Sequence, residues 1–196
     1  MTKYILIIAL GLLAFISTNF SKEIEVPLNK NIDYTNTKKA HFAGGCFWGV
    51  EHLFEKQKGV KDVISGYMGG DVKNPDYYGV IKGDTGHVET VEVVYNPNEI
   101  SYENLAKLFF EIHDPTQKNG QGPDIGSQYL SVVFYDNEEE KKTTEKLIEI
   151  LKTKGYDVAT TLKEKTPFYA AEGYHQDYYK RTGKTPYCHV YQKIFD

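Results

Sequence analysis

The nine residues His87-Val-Glu-Thr-Val-Glu-Val-Val-Tyr95 constrain the fold more than any other stretch of this chain. Their alternation predicts a strand on which Glu89 shares a face with Val91, Val93 and Tyr95, while Glu92 lies opposite with Val88, Thr90 and Val94. Such a strand buries at least one face. The elements around it set the topology. Lys39 to Gly44 reads as a short strand, and from Cys46 a helix carries Phe47, Val50 and Phe54 as an apolar stripe until Gly59 stops it. Val60 to Tyr67 reads as a second strand, and the turn-rich residues from Met68 to Gly79 as a loop. Ser101 caps a helix with the stripe Leu105, Leu108, Phe109 and Ile112, and Pro115 lies beyond its end. Tyr129 to Tyr135 reads as a further strand. Asn137, with Glu140 three residues on, then opens a helix that runs to about Lys154. The order strand-helix-strand-strand-helix-strand predicts an α+β domain with a ferredoxin-like split βαβ core (βαββαβ), an extra helix, and a C-terminal tail after Pro167 that wraps the core.

The chain ends are read separately. Lys3 precedes the apolar run Tyr4 to Ile16, which Ser17, Thr18 and Asn19 follow. That is the charged start and apolar centre of a secretory signal. Residues 1–21 are therefore expected to be a signal peptide or, if uncleaved, an N-terminal anchor. The second option arises because Asn19 sits three residues before the cut after Ser21. Residues 22–38 are polar and aperiodic, a tether, and residues 39–196 form the folded domain. The expected location is outside the cytoplasm, with membrane association only if the leader is retained. The formal net charge of -4 comes without a basic block, so neither nucleic acid nor an anionic membrane surface is an expected partner.

The chemistry centres on Gly44-Gly45-Cys46-Phe47-Trp48-Gly49, which holds one of 2 cysteines and the single tryptophan. A thiol at a strand-to-helix junction meets the unpaired N–H groups and positive end of a helix, which favour thiolate. The bland alternative is a small buried apolar residue. Trp48 falls off the apolar stripe, which suits a pocket wall. Glu89 among valines is desolvated, which raises its pKa and makes it a proton donor; the alternative is a glutamate reaching water or a helix N-terminus. The loop residues Asp114, Gln117, Gln121, Asp124 and Gln128, with Tyr77, Tyr78 and Tyr129, could line a polar, aromatic-edged pocket or could serve as turn residues. No metal is expected, because the 6 histidines are dispersed and no ligand pair has metal-binding spacing. A cysteine hydrolase, pairing Cys46 with a histidine in space, is one alternative. An exported, non-enzymatic module whose 16 tyrosines stack on sugars or peptides is another.

Seven segments in order resemble the peptide methionine sulfoxide reductase A family: Ala43-Gly-Gly-Cys-Phe-Trp-Gly49, Gly66-Tyr67-x-Gly-Gly70, Asn74-Pro-x-Tyr77, Gly83-Asp-Thr-Gly-His-x-Glu89, His113-Asp-Pro-Thr116, Gln121-Gly-x-Asp124-x-Gly-x-Gln-Tyr129 and Ala171-Glu-x-Tyr-His-Gln176. The resemblance implies a reductase domain that acts on the S epimer of methionine sulfoxide, free or in oxidised proteins. It implies that Cys46 attacks sulfur and becomes a sulfenic acid, and that Phe47 and Trp48 hold the S-methyl group. Glu89 would protonate the sulfoxide oxygen, Tyr77 and Tyr129 would polarise it, and Asp124 would complete the pocket. No cofactor is bound; a thioredoxin-like thiol is the implied reductant. The chain departs from the pattern at Pro123 and Leu130, and Leu130 alternates away from Tyr129, which leaves the pocket intact. Cys188 is the implied resolving cysteine, with an inert buried thiol or a permanent disulfide as its other roles. The apolar ending Val190 to Phe195 reads as a candidate edge strand that would restrain it.

Overall fold

A computed structural model describes residues 32–195, so the expected leader (1–21) and most of the tether lie outside the described residues. In chain order the elements are β1 (Lys38–Gly44), α1 (Phe47–Phe54), β2 (Val60–Met68), α2 (Tyr77–Ile81), β3 (Val88–Tyr95), α3 (Tyr102–Glu111), β4 (Gly120–Gln121), β5 (Asp124–Ile125), a 3-10 turn (Ser127–Tyr129), β6 (Ser131–Tyr135), α4 (Glu138–Thr153), β7 (Thr161–Glu164), β8 (Tyr169–Ala170) and α5 (Tyr178–Thr182). No helix among the described residues is long and apolar enough to cross a membrane.

The architecture is mixed α+β around a sheet ordered β7-β6-β1-β3-β2-β8, with β4 and β5 as a separate hairpin. The four inner strands pair antiparallel, and β7 adds in parallel to β6. β3 is buried along its whole length, as its double-sided valine pattern demands. Val91, Val93 and Tyr95 join Phe42, Val133, Leu105, Phe109, Leu147 and Leu151 in the main core beneath the helices. The opposite face is thinner: Ala43, Met68, Val88, Val132 and Phe134 are covered by Leu130 and Phe168. Leu130 thus packs on this thinner face, although it follows a 3-10 turn and not a strand, so alternation is not what places it. Ser101 caps α3 by accepting the Asn104 N–H at 3.2 Å. Asn137 caps α4 by accepting the N–H groups of Glu139 and Glu140 at 3.0 Å.

Four local expectations are corrected. The loop after β2 contains α2, opened by Asp76, whose side chain accepts the Gly79 N–H at 2.7 Å. Tyr129 closes a 3-10 turn and does not begin a strand, because its N–H is taken by the Gly126 carbonyl at 3.1 Å before the ladder starts at Ser131. The long 114–127 loop folds on itself as the β4–β5 hairpin. Gly122 (φ 55) and Pro123 make its two-residue turn, with glycine supplying the positive φ. Residues 190–195 form no strand, because their N–H groups go elsewhere. Glu111 Oε1 accepts from Ile194 and Phe195 at 2.8 and 2.9 Å, and the Glu111 carbonyl accepts from Gln192 at 2.7 Å.

Candidate active site

Cys46 lies at the junction of β1 and α1, in the N-cap position and only 6% exposed. Gly45 before it holds φ 94, a conformation that disfavours a side chain, and any Cβ there would collide with Gln121. The first N–H of α1, from Phe47, is accepted by Glu89 Oε2 at 3.0 Å. The Sγ atoms of Cys46 and Cys188 and a carboxylate oxygen of Asp124 all lie within 4.8 Å of one another. Both cysteines are free thiols.

The expectation of a resting thiolate is corrected. A hydrogen bond with Cys188, then burial, then charge on Cys188 push the Cys46 thiol up; the Trp48 backbone N–H at the helix start opposes them, and Asp124 adds to the rise. A helix terminus worth a fraction of a kcal/mol at a wet surface does not offset burial beside a second thiol. The resting Cys46 therefore carries its proton.

Glu89 is buried at 2% exposure, and burial, then the neighbouring Cys46 and Asp124, hold its carboxyl well above the usual range against the Phe47 N–H. Its Oε2 accepts from the helix start, and Oε1 makes no hydrogen bond among the described residues. The Glu89 alternatives thus merge, since a proton-bearing acid also reaches a helix N-terminus. Burial, then the charge of nearby Glu89, raises the phenols of both Tyr77 and Tyr129, so each keeps its O–H. Asp124 accepts the Tyr187 hydroxyl on both oxygens, at 3.1 and 3.0 Å.

Trp48 is half-buried and stacks on Tyr178 at 3.8 Å with 9° between the rings, while its indole N–H donates to His175 Nδ1 at 3.1 Å. Phe47 is a fully buried core residue against Tyr67 and His175, so Trp48 is the more accessible wall. Glu172 fixes Tyr77 from behind by accepting the Tyr77 N–H and the Tyr67 hydroxyl, each at 2.9 Å. Of these supports, Glu172 and His175 were visible only as members of a quoted motif, and Tyr178 and Tyr187 carried no signal at all.

The other loop candidates do not reach the thiols. Gln121 bonds the backbone of Asp114. Gln117 bonds Gly122, and Gln128 bonds the Ile81 carbonyl, so all three are scaffolding. Tyr78 is mostly exposed. No histidine among the described residues hydrogen-bonds Cys46, which removes the dyad a cysteine hydrolase needs. Cys46, Asp124 and Cys188 are also the one donor set among the described residues that could hold a cation, a juxtaposition no sequence spacing displayed. A soft cation bound there would occupy both thiols.

Two thiols and a carboxylate within 4.8 Å of one another, beside a buried acid bonded to a helix start, define a thiol centre. The model of the peptide methionine sulfoxide reductase family matches residues 38–195. Peptide methionine sulfoxide reductase MsrA of Nautilia profundicola is 49% identical over 150 residues, covering 76% of this chain and 87% of that protein. Its Deinococcus radiodurans counterpart is 47% identical over 154 residues, covering 77% and 75%. Among solved structures, reduced Mxr1 from Saccharomyces cerevisiae superposes with a TM-score of 0.77 at 36% identity, covering 83% of this chain and 97% of that one. Methionine sulfoxide reductase A of Corynebacterium diphtheriae gives 0.68 at 32% identity, covering 79% and 78%. Mxr1 in complex with Trx2 gives 0.56 at 25% identity, covering 84% and 96%. The chain belongs to the peptide methionine sulfoxide reductase A family and is an enzyme of that class.

Proposed function

We propose that the protein reduces the S epimer of methionine sulfoxide, free or in proteins, through a Cys46 sulfenic acid. The observation that carries this reading is the meeting of Cys46, Cys188 and Asp124 within 4.8 Å, with Glu89 bonded to the next residue of the chain. Glu89, Tyr77 and Tyr129 hydrogen-bond the sulfoxide oxygen and draw electron density from sulfur, while Trp48, backed by Phe47, seats the methyl group. The Cys46 sulfur attacks the substrate sulfur while Glu89 protonates the sulfoxide oxygen and takes back the Cys46 thiol proton; the oxygen then passes as hydroxyl to the Cys46 sulfur, the bond between the two sulfurs and the substrate sulfur–oxygen bond break, and methionine leaves. Oxygen remains on Cys46 as the sulfenic acid. Cys188 then displaces it to form a disulfide, which a thioredoxin-like dithiol reduces. The complex of yeast Mxr1 with Trx2 supports that class of reductant. We also read β1-α1-β2-β3-α3-β6 as a split βαβ core, which the inner order β6-β1-β3-β2 supports. Residues 1–21 are read as an export signal or anchor, so the substrates would be oxidised proteins outside the cytoplasm; cell fractionation with an antibody to the domain tests this.

The decisive assay incubates the protein with a chiral methionine sulfoxide and a small dithiol. Loss of the S epimer alone is expected; no loss, or equal loss of both epimers, overturns the reading. Cys46→Ser should release no methionine. Cys188→Ser should release about one equivalent and then stall with a thioredoxin-like reductant.

A further inference from the structure

The tail that carries Cys188 docks on the bare backbone of the Cys46 segment through one side chain, His189. His189 is buried, and its Nε2 bonds the Gly44 carbonyl at 2.7 Å. A carbonyl can only accept, so Nε2 carries the hydrogen and Nδ1 of the neutral ring is left with a lone pair. That nitrogen lies 3.0 Å from Cys188 Sγ. The ring is seated by missing side chains, since a Cβ on Gly49 would approach Nδ1 to 2.2 Å and one on Gly45 would meet Nε2 at 3.6 Å.

We propose that His189 is the general base that deprotonates Cys188 when it attacks the Cys46 sulfenic acid. The inference rests on Cys188 being the resolving cysteine. The Cys188 proton passes to Nδ1, the Cys188 electron pair forms the sulfur–sulfur bond, and the sulfur–oxygen bond of Cys46 breaks. The departing oxygen takes up that proton and leaves as water, so one sulfenic acid and one thiol become one disulfide and one water. The ionisable groups facing His189 are Cys188 beside it, Asp124 from β5 and His113 after α3. Burial lowers the His189 pKa, with the Gly44 carbonyl and Asp124 opposing, so the ring is neutral and ready to accept. His113 is held down to about 4 by burial and brings no competing charge near neutrality. Asp124 favours the imidazolium that forms. The thiolate is the nucleophile in disulfide formation, so a base in contact with the attacking sulfur gives the step its advantage.

The test is single-turnover rapid quench of the full chain, following methionine release and, separately, loss of alkylatable thiol, in the parent and in His189→Gln. Glutamine keeps an N–H for the Gly44 carbonyl but cannot take a proton. First-turnover methionine release should be unchanged, which also reports that the variant is folded. Disulfide formation should slow about 100-fold at pH 7. It should then recover about tenfold per pH unit as hydroxide replaces the base, whereas the parent rate, with its imidazole already neutral, should depend far less on pH. An unchanged disulfide rate, or slowing by the same factor at every pH, overturns the role and leaves His189 as a docking peg. If the parent forms no Cys46–Cys188 disulfide and Cys188→Ser cycles normally, the resolving reading itself has failed; a disulfide that forms at parental rate in His189→Gln fails the base alone.

Discussion

At the residue scale the site depends on an acid kept from ionising. Glu89→Gln should lower kcat by about 10²-fold or more, because the amide can donate a hydrogen bond but not a proton. The same change should raise stability. The folded-state pKa of Glu89 lies above its unfolded value, so the unfolded chain gains stability by ionising as pH rises past about 4.3, and the parent loses ground from there upward. Denaturant titrations should show Glu89→Gln more stable at pH 7 and equal near pH 4. A variant no more stable at pH 7 would mean that Glu89 is ionised in the folded protein. Glu89 and Cys46 were legible because their signals are local: a carboxyl within a run of valines, and a thiol between glycines at a change of element. The protonation of Cys46 was not, because it depends on Cys188, whose approach only the folded tail creates. Tyr187 and His189 were illegible for the same reason, since their partners lie 63 and 145 positions away.

At the element scale, the segment after β8 clamps the catalytic half of the sheet. Gln176 accepts the Ser65 N–H at 3.0 Å and donates to the Ser65 and Ala171 carbonyls, both at 2.9 Å, in effect extending the β2 edge with a side chain. Gln176→Ala removes these bonds from backbone groups of the buried residues Ser65 and Ala171, of which the Ser65 carbonyl keeps the Ala171 N–H at 2.9 Å, and should cost about 2–3 kcal/mol in chemical denaturation. Because Glu172 and His175 lie in the same segment, loosening it should also raise KM more than it lowers kcat in steady-state assays; a change in stability alone would separate the clamp from the site. The elements located well from the sequence were those with an apolar stripe or a capping residue, α1, α3 and α4. Those it missed, α2 and the β4–β5 hairpin, are short and made by side chain to backbone bonds at Asp76 and by a glycine-proline turn, which periodicity does not register.

At the scale of the whole molecule, buried acid gives the protein an unusual pH response. Burial raises Glu51 to about 8, opposed by the Asp177 N–H that it accepts from the start of α5 at 3.2 Å, and burial also lifts Glu55 to about 7. Folded pKa values above the unfolded ones mean that stability present below about pH 4.5 is lost as pH climbs toward 8, by up to about 1.4 kcal/mol per pH unit for Glu51. Thermal melts should therefore decline across that window, and Glu51→Gln should flatten the decline; an unaltered slope would show that Glu51 ionises at its ordinary pKa. The mixed α+β class was legible from the order of strong elements, but the sheet's completion was not, because β7 and β8 are only 4 and 2 residues long. Their position has a consequence for synthesis. Both open edges of the inner sheet, β6 and β2, are covered by strands drawn from the last 36 residues of the chain, numbered 161–196. A nascent polypeptide exposes two unpaired edges until β7 and β8 have emerged, and unpaired edges invite intermolecular pairing. A variant cut before β7 would therefore carry two unpaired edges and should self-associate.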